Sequence, residues 1–368
     1  MRVLVVADRF GPGDGRSARQ MATDVAGGWA SGAPHDDVDS FALSDGSAGF
    51  VDAVSALADA TSPVVIDGPF RGIGVECEPV PAQIVLAGDT AYIEAAHVVG
   101  RHLVPPEMDL AESFRASSAG VGELLAAARA TGAQRIVVGV GIDVACHDGG
   151  RGLLQALGAG PDLEALPEVC RDWSGLTLVL ATASSMPLTG FHGTSAALAS
   201  EHGVSPEFSQ QMESEMGAYT ETVDAALGGI RTPDLLTGAA RRREREAGAG
   251  VGGGLGYALQ ILGAQTTPGA ALLLDDLDVE QRLSGALVVL VTQRYDWHSI
   301  GSGVVADTAR AALAAACPTV LLAEEVLVGR REGMSLGISG SYALRSTETM
   351  SQLSARVAKT WSPPPRTS

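Results

Sequence analysis

The chain has 368 residues, 46 per cent of them apolar and 18 per cent charged, which suits a buried core and excludes a disordered polyelectrolyte. A formal net charge of −18 argues against nucleic acid as a partner, because neutralising phosphates needs clustered Lys and Arg. The length predicts about two domains, and scarce aromatics beside plentiful Gly and Ala predict tight helix-on-sheet packing.

In chain order, "RVLVVAD" is a continuous apolar run ending in Asp8 and reads as a buried parallel strand. A helix follows, with Ala18, Met21, Val25 and Trp29 on one face. Residues 38–60 read as a short strand, a loop at Asp45-Gly46 and a helix. "SPVVIDGP" is a strand turning at Asp67, "TAYIEAAHVVG" a strand-to-helix step and "GVGELLAAARATGA" a full helix. "QRIVVGVGIDVACHDGGRGLLQALGAG" reads as strand, Gly-rich loop and helix, and "GLTLVLATASSMP" as a strand entering a loop. A polar helical region spans roughly 205–230. Beyond it come the Gly-rich stretch 248–256, the strand "ALVVLVT", a helix from Val304 to Ala316, the strand "PTVLLAEE" and a weaker, Pro-rich tail. This alternation defines an α/β class with mainly parallel sheets.

Four Cys, at 77, 146, 170 and 317, show no C-x-x-C spacing, so neither a disulfide framework nor a zinc site is expected. The one basic run, residues 241–245, mixes in Glu and reads as a solvated face. The N-terminus lacks the apolar run of a signal peptide, and no uncharged window is long enough to span a membrane. The expectation is a cytoplasmic protein with no membrane partner.

Ligands of open parallel sheets sit beyond the carboxyl ends of the strands. Those ends carry Asp8, Asp45, Asp67, Asp143, Asp148 and Asp296. Each one alone suits a helix cap or turn; several in one site suit Mg²⁺ or activation of a substrate hydroxyl. "GAGVGGGLG", with six Gly in nine residues, lacks the G-K-[S/T] of a P-loop and follows no clear strand. Either its N–H groups attract phosphates at a helix start, or its glycines serve close packing. In "HDGG", His147 is either a base or a polar loop residue.

These residues resemble the glycerate kinase family across nearly the whole chain. "VADRFGPG" is similar to that family's "APDSFKGS", "LSDGSAGFVDAV" to "ADGGEGTVDAL", and "ACHDGGRGLLQALGA" to "SATNDGGAGMLQALGA". "TAYIEAAHVVG" is similar to "AVIEMAAASG", placing Glu94, and "MPLTGFHGTS" to "NPLLGPRGAS". "GAGVGGGLGYAL" matches "GAGAAGGLGAAL" almost throughout, and "RYDWHSIGSGVV" resembles "RLDAQTLAGKAP". The resemblance implies two three-layer α/β domains with the active-site cleft between them. The expected division is 1–70 plus 265–368 as one discontinuous domain, with 71–264 inserted. It also implies ATP and Mg²⁺ as cofactors and phosphorylation of glycerate or a related small hydroxy acid. Asp8, Asp45 and Asp148 would then line the catalytic region, with His147, which has no counterpart in the family pattern, as a further catalytic candidate. Gly250, Gly252, Gly253, Gly254, Gly256 and Asp296 would line the nucleotide side. The metal ligands and the oligomeric state stay open, a homodimer included.

The departures from the pattern fall on polar groups. Gly11 and Gly303 stand where the family has Lys, and Ala183 stands where it has Asp. "ASEHG" replaces "GPQKG", and "TQRYD" shortens "TGEGRLD". Either the chain is a kinase of reduced activity, or it is a non-catalytic relative acting as a ligand sensor or protein partner. A third possibility is a site rebuilt around His147 or His298.

Overall fold

The computed structural model describes residues 1–10, 16–58, 64–72, 78–228 and 242–362. The chain divides into two units, one of Met1–Asp45, Asp52–Ala60 and Pro268–Ser368, the other of Gly46–Val51 and Thr61–Thr267.

In the first unit the strands Arg2–Ala7 (β1), Asp37–Ala42 (β2), Leu287–Tyr295 (β9), Thr319–Val326 (β10) and Ile338–Ala343 (β11) form one sheet, in the order β11-β10-β9-β1-β2. Every pairing is parallel. The interior strands β1 and β9 are apolar on both faces because both faces are covered. Val3, Val5, Val289 and Val291 pack with Met21, Val25, Trp29, Leu353 and Val357 from the helices Ala18–Gly32 and Met350–Trp361. The alternate residues Leu4, Val6, Val288 and Leu290 are equally buried and point to the opposite face, where the helix Gly303–Ala314 runs. The two helices on the first face approach closely through Gly28 and Gly32. A Cβ at either position would collide with the backbone of the other helix, at Ser351 or Ala355. Ser354 Oγ donates to the Val25 carbonyl at 2.7 Å across the same contact.

The second unit holds Val64–Arg71 (β3), Pro79–Ala87 (β4), Thr90–Glu94 (β5), Arg135–Gly139 (β6), Thr177–Ala181 (β7) and Gln265–Thr267 (β8), hydrogen-bonded in that order. β5 through β8 are parallel, whereas β3, β4 and β5 form an antiparallel meander. β4 has no counterpart among the sequence-based expectations, and its presence decides where β3 goes. Val64 to Arg71 pair with Leu86 to Pro79, the next strand along the chain. Residues 64–70 and 265–267, expected in the first domain, therefore sit in the second sheet. Its core joins Ile84, Ile93, Val138 and Leu180 to Leu124, Leu125, Leu255 and Leu259 of the flanking helices.

Candidate functional site

The carboxyl end of the first sheet gathers acidic groups. Asp8 follows β1, and its N–H donates to Val291 of β9 at 2.8 Å, carrying the ladder one residue further. Its half-buried carboxylate accepts from the Arg9 N–H at 2.7 Å. Burial, and then the charge of Asp45, push its pKa from 3.8 up to about 7, against the weaker pull of Arg9 and a hydrogen bond with Thr292. Asp45 lies just beyond β2. A Cβ at Gly303, the first residue of the Gly303–Ala314 helix, would stand 3.3 Å from Asp45 Oδ2. One turn into that helix, burial raises the pKa of Asp307, with a smaller contribution from Asp45; Arg310, 2.9 Å away, opposes it. Asp8, Asp45 and Asp307 thus share one electrostatic environment. Asp307 carried no sequence signal, because Asp-x-x-Arg on a helix reads as an ordinary surface pair.

Asp296 also stands at a strand end, but its carboxylate is engaged locally. Oδ1 accepts from the N–H groups of His298 at 2.9 Å and Ser299 at 3.2 Å, closing a capping box on the short helix Trp297–Gly301. Arg294 Nε lies 3.5 Å from Oδ2, and the His298 side chain is 99 per cent exposed.

In the second unit, Asp148 is engaged more fully still. Oδ2 accepts from Ser118 N–H and Oγ, both at 2.9 Å, and from Gly152 N–H at 3.0 Å; Oδ1 accepts from Gly150 N–H at 2.9 Å. The carboxylate therefore caps the helix Arg151–Ala156 and ties it to the start of the helix Ala119–Ala130. His147 is buried, with Nε2 at 3.0 Å from Ser195 Oγ, and burial lowers its pKa to about 4, helped by nearby His202. At neutral pH it is an uncharged, buried imidazole. Glu94, buried at the end of β5, accepts from the N–H groups of Gly49 and Val51, both at 3.2 Å.

The Gly-rich stretch owes its composition to packing and backbone shape. Gly252, Gly253 and Gly254 have φ of 59°, 62° and 100°, so the regular helix begins only after them. A Cβ at Gly250 would collide with Pro187, at Gly253 with Cys146, and at Gly256 with Gly248; at Gly254 it would lie 2.5 Å from Gly149 Cα. The "HDGG" loop is seated directly on these glycines, with Gly149 N–H donating to the Gly253 carbonyl at 3.0 Å. The space on their Cβ side is filled by protein, which gives close packing as one reason for the glycines. Asp45, at the strand end beside Asp8, fits Mg²⁺ better. Mg²⁺ takes one or two carboxylates and completes its shell with water and phosphate oxygens. Among the described residues, no group of three or more His, Cys, Asp or Glu side chains is placed to hold a metal ion. Gly11, where the resemblance puts a Lys, lies outside the described residues.

Two mainly parallel sheets with flanking helices, and polar groups beyond their strand ends, define an α/β protein. The glycerate kinase family model matches residues 3–361, and the chain belongs to the glycerate kinase family. It is 32 per cent identical over 349 residues to an uncharacterized protein of Mycobacterium bovis, covering 94 per cent of this chain and 84 per cent of that one. It is 30 per cent identical over 349 residues to a glycerate kinase of Bacillus subtilis, covering 89 and 85 per cent. A crystal structure assigned to glycerate kinase 2 of Salmonella typhimurium LT2 matches with a TM-score of 0.69 at 25 per cent identity, over 98 per cent of this chain and 96 per cent of that one. Among the described residues no helix is long and apolar enough to cross a membrane.

Proposed function

We propose that the chain phosphorylates glycerate or a related small hydroxy acid from ATP, at reduced turnover, and that Asp8 with Asp45 forms its reacting centre. The observation that carries this reading is the Asp8 carboxyl, its pKa pushed up to about 7 at the end of β1 beside a second carboxylate. A group poised near neutrality is suited to take the proton of an attacking hydroxyl. Mg²⁺, when bound, would neutralise charge on the transferring phosphoryl group. Asp45 is the residue that would hold it, leaving the Asp8 carboxylate free to take the proton. Asp148 and Asp296 serve this reading as helix caps that fix neighbouring loops, and the Gly248–Gly256 stretch as the close-packed seat of the "HDGG" loop. Family membership supports glycerate as the acceptor. A coupled assay of ADP release with D-glycerate tests it. Turnover that disappears in Asp8→Asn, with the fold retained, is expected; full turnover in that variant removes Asp8 from the centre.

The non-catalytic reading is favoured by one observation: Gly303 supplies no cation beside Asp45, where the family pattern has Lys. A thermal shift with ATP–Mg²⁺, ADP and D-glycerate separates the two. A ligand at a hundred times its Kd stabilises by about 2.7 kcal/mol, and silence with every nucleotide favours the sensor or partner role.

A further inference from the structure

Arg101 opens a short turn, Arg101–Leu103, after the segment Ala96–Val99. Its backbone is held firmly. Its N–H donates to the Asp143 carbonyl at 2.7 Å, and the preceding Gly100 bridges to Val144. The guanidinium lies over the Phe114 ring, 5.7 Å from its centroid. Two of its nitrogens, Nε and Nη2, are buried and have no hydrogen-bond partner. Buried donors are almost always paired, and charged ones are the most costly to leave otherwise. A cation–π contact does not use these N–H groups, which lie in the guanidinium plane.

Nε and Nη2 are not an arbitrary pair. They form one edge of the guanidinium, with parallel N–H bonds that match two oxygens of a single carboxylate or phosphoryl group. The surroundings suit an anion. The Phe114 ring also packs against His202, at 5.4 Å, and edge-on against His147, at 6.3 Å. His147 in turn holds Ser195 Oγ, near the start of the helix Thr194–His202. His202 is near enough to Arg101 that, after burial, the guanidinium charge is what lowers its pKa. Among the described residues no carboxylate is paired with Arg101.

We propose that the Nε–Nη2 edge of Arg101, with His202 beside it, is a binding site for a small oxyanion that presents two oxygens side by side, a carboxylate or a phosphoryl group. The site lies within the second unit, and its test is read by binding, separately from turnover.

The test is calorimetric titration and thermal melting of the full chain with inorganic phosphate and with D-glycerate, against chloride at equal ionic strength. At least one of the two oxyanions should bind and raise the melting temperature. Phosphate binding that Arg101→Leu removes identifies a phosphoryl site, and glycerate binding that it removes a carboxylate site. Arg101→Leu should weaken that binding at least about tenfold, which is ~1.4 kcal/mol. Its ligand-free melting temperature should be unchanged or higher, since an apolar group then replaces an unpaired buried charge. Arg101→Lys keeps the charge without the fork; it should fold even if the Leu variant does not, and should bind more weakly than wild type. The proposal is overturned if neither oxyanion binds the wild type, or if both variants bind as it does. A Leu variant that melts lower without ligand and binds normally makes Arg101 a packing residue for Phe114.

Discussion

Asp8 carries its charge reluctantly, and this has a direct consequence for stability. Its pKa in the folded chain, about 7, lies above the unfolded value of 3.8, so folding disfavours the ionised form. Below about pH 4 the group is protonated in both states and nothing is lost. As pH rises from about 4 to about 7 the unfolded chain releases its proton first, so stability falls; above that window the loss is constant. Asp8→Asn should therefore match wild type near pH 4 and melt higher than wild type at pH 8. Melting curves that run parallel across this range would refute the assignment. Asp148 should behave oppositely. Asp148→Ala leaves three N–H donors and the Ser118 hydroxyl without their acceptor. It should cost about 2–4 kcal/mol by urea unfolding, since each unsatisfied buried group costs roughly 1–3. If Asp148→Ala lost turnover with wild-type stability, Asp148 would be a reacting group and not a cap.

Elements in this fold are brought together by where small residues fall, and one helix tests this with neighbouring glycines. In Ala18–Gly32, nothing lies within 4 Å of a Cβ added at Gly27, whereas one added at Gly28 would collide with Ser351 of the Met350–Trp361 helix. Gly27→Ala should stabilise by about 0.4–1 kcal/mol through reduced unfolded-state entropy. Gly28→Ala should destabilise by about 1–3 kcal/mol through overpacking. Equal effects of the two in denaturant unfolding would mean that the helices do not approach as described. The same reasoning applies to Gly248–Gly256. A Gly-rich run before a helix has two physical causes, ligand approach and backbone approach, with identical composition. The atoms facing each Cα show the backbone approach directly, and here they belong to Pro187, Cys146, Gly149 and Gly248. β4 escaped notice for a related reason. "PVPAQIVLA" starts with two prolines and has no helix after it, so nothing in the βα rhythm marks it.

For the molecule as a whole, the parallel framework was legible because continuous apolar runs such as Val3–Ala7 and Leu287–Val291 leave few alternatives to strands buried on both faces. The chemistry was legible only as a set of candidates. Asp8, Asp148 and Asp296 occupy equivalent places after strands or loops, and only their hydrogen-bond partners separate a charge-strained carboxyl from two caps. Arg101 and Asp307 gave no signal, since their character comes from neighbours distant in sequence. Activity depends on what the candidate centre has kept. Gly303 stands where the family resemblance puts a Lys, whose side chain would start 3.3 Å from Asp45 Oδ2, and Ala183 where it puts an Asp. Losing one aimed charge typically costs ~10²–10³ in rate. Glycerate-dependent ADP release should therefore fall at least about a hundredfold below that of the Bacillus subtilis relative assayed alongside. Gly303→Lys alone should not restore it. The backbone there has φ of 85°, which disfavours any L side chain, so the variant should also melt lower. Turnover of about 10 s⁻¹, ordinary for an enzyme, would show that the replaced charges are dispensable; rescue by Gly303→Lys would show that one cation was all the centre lacked.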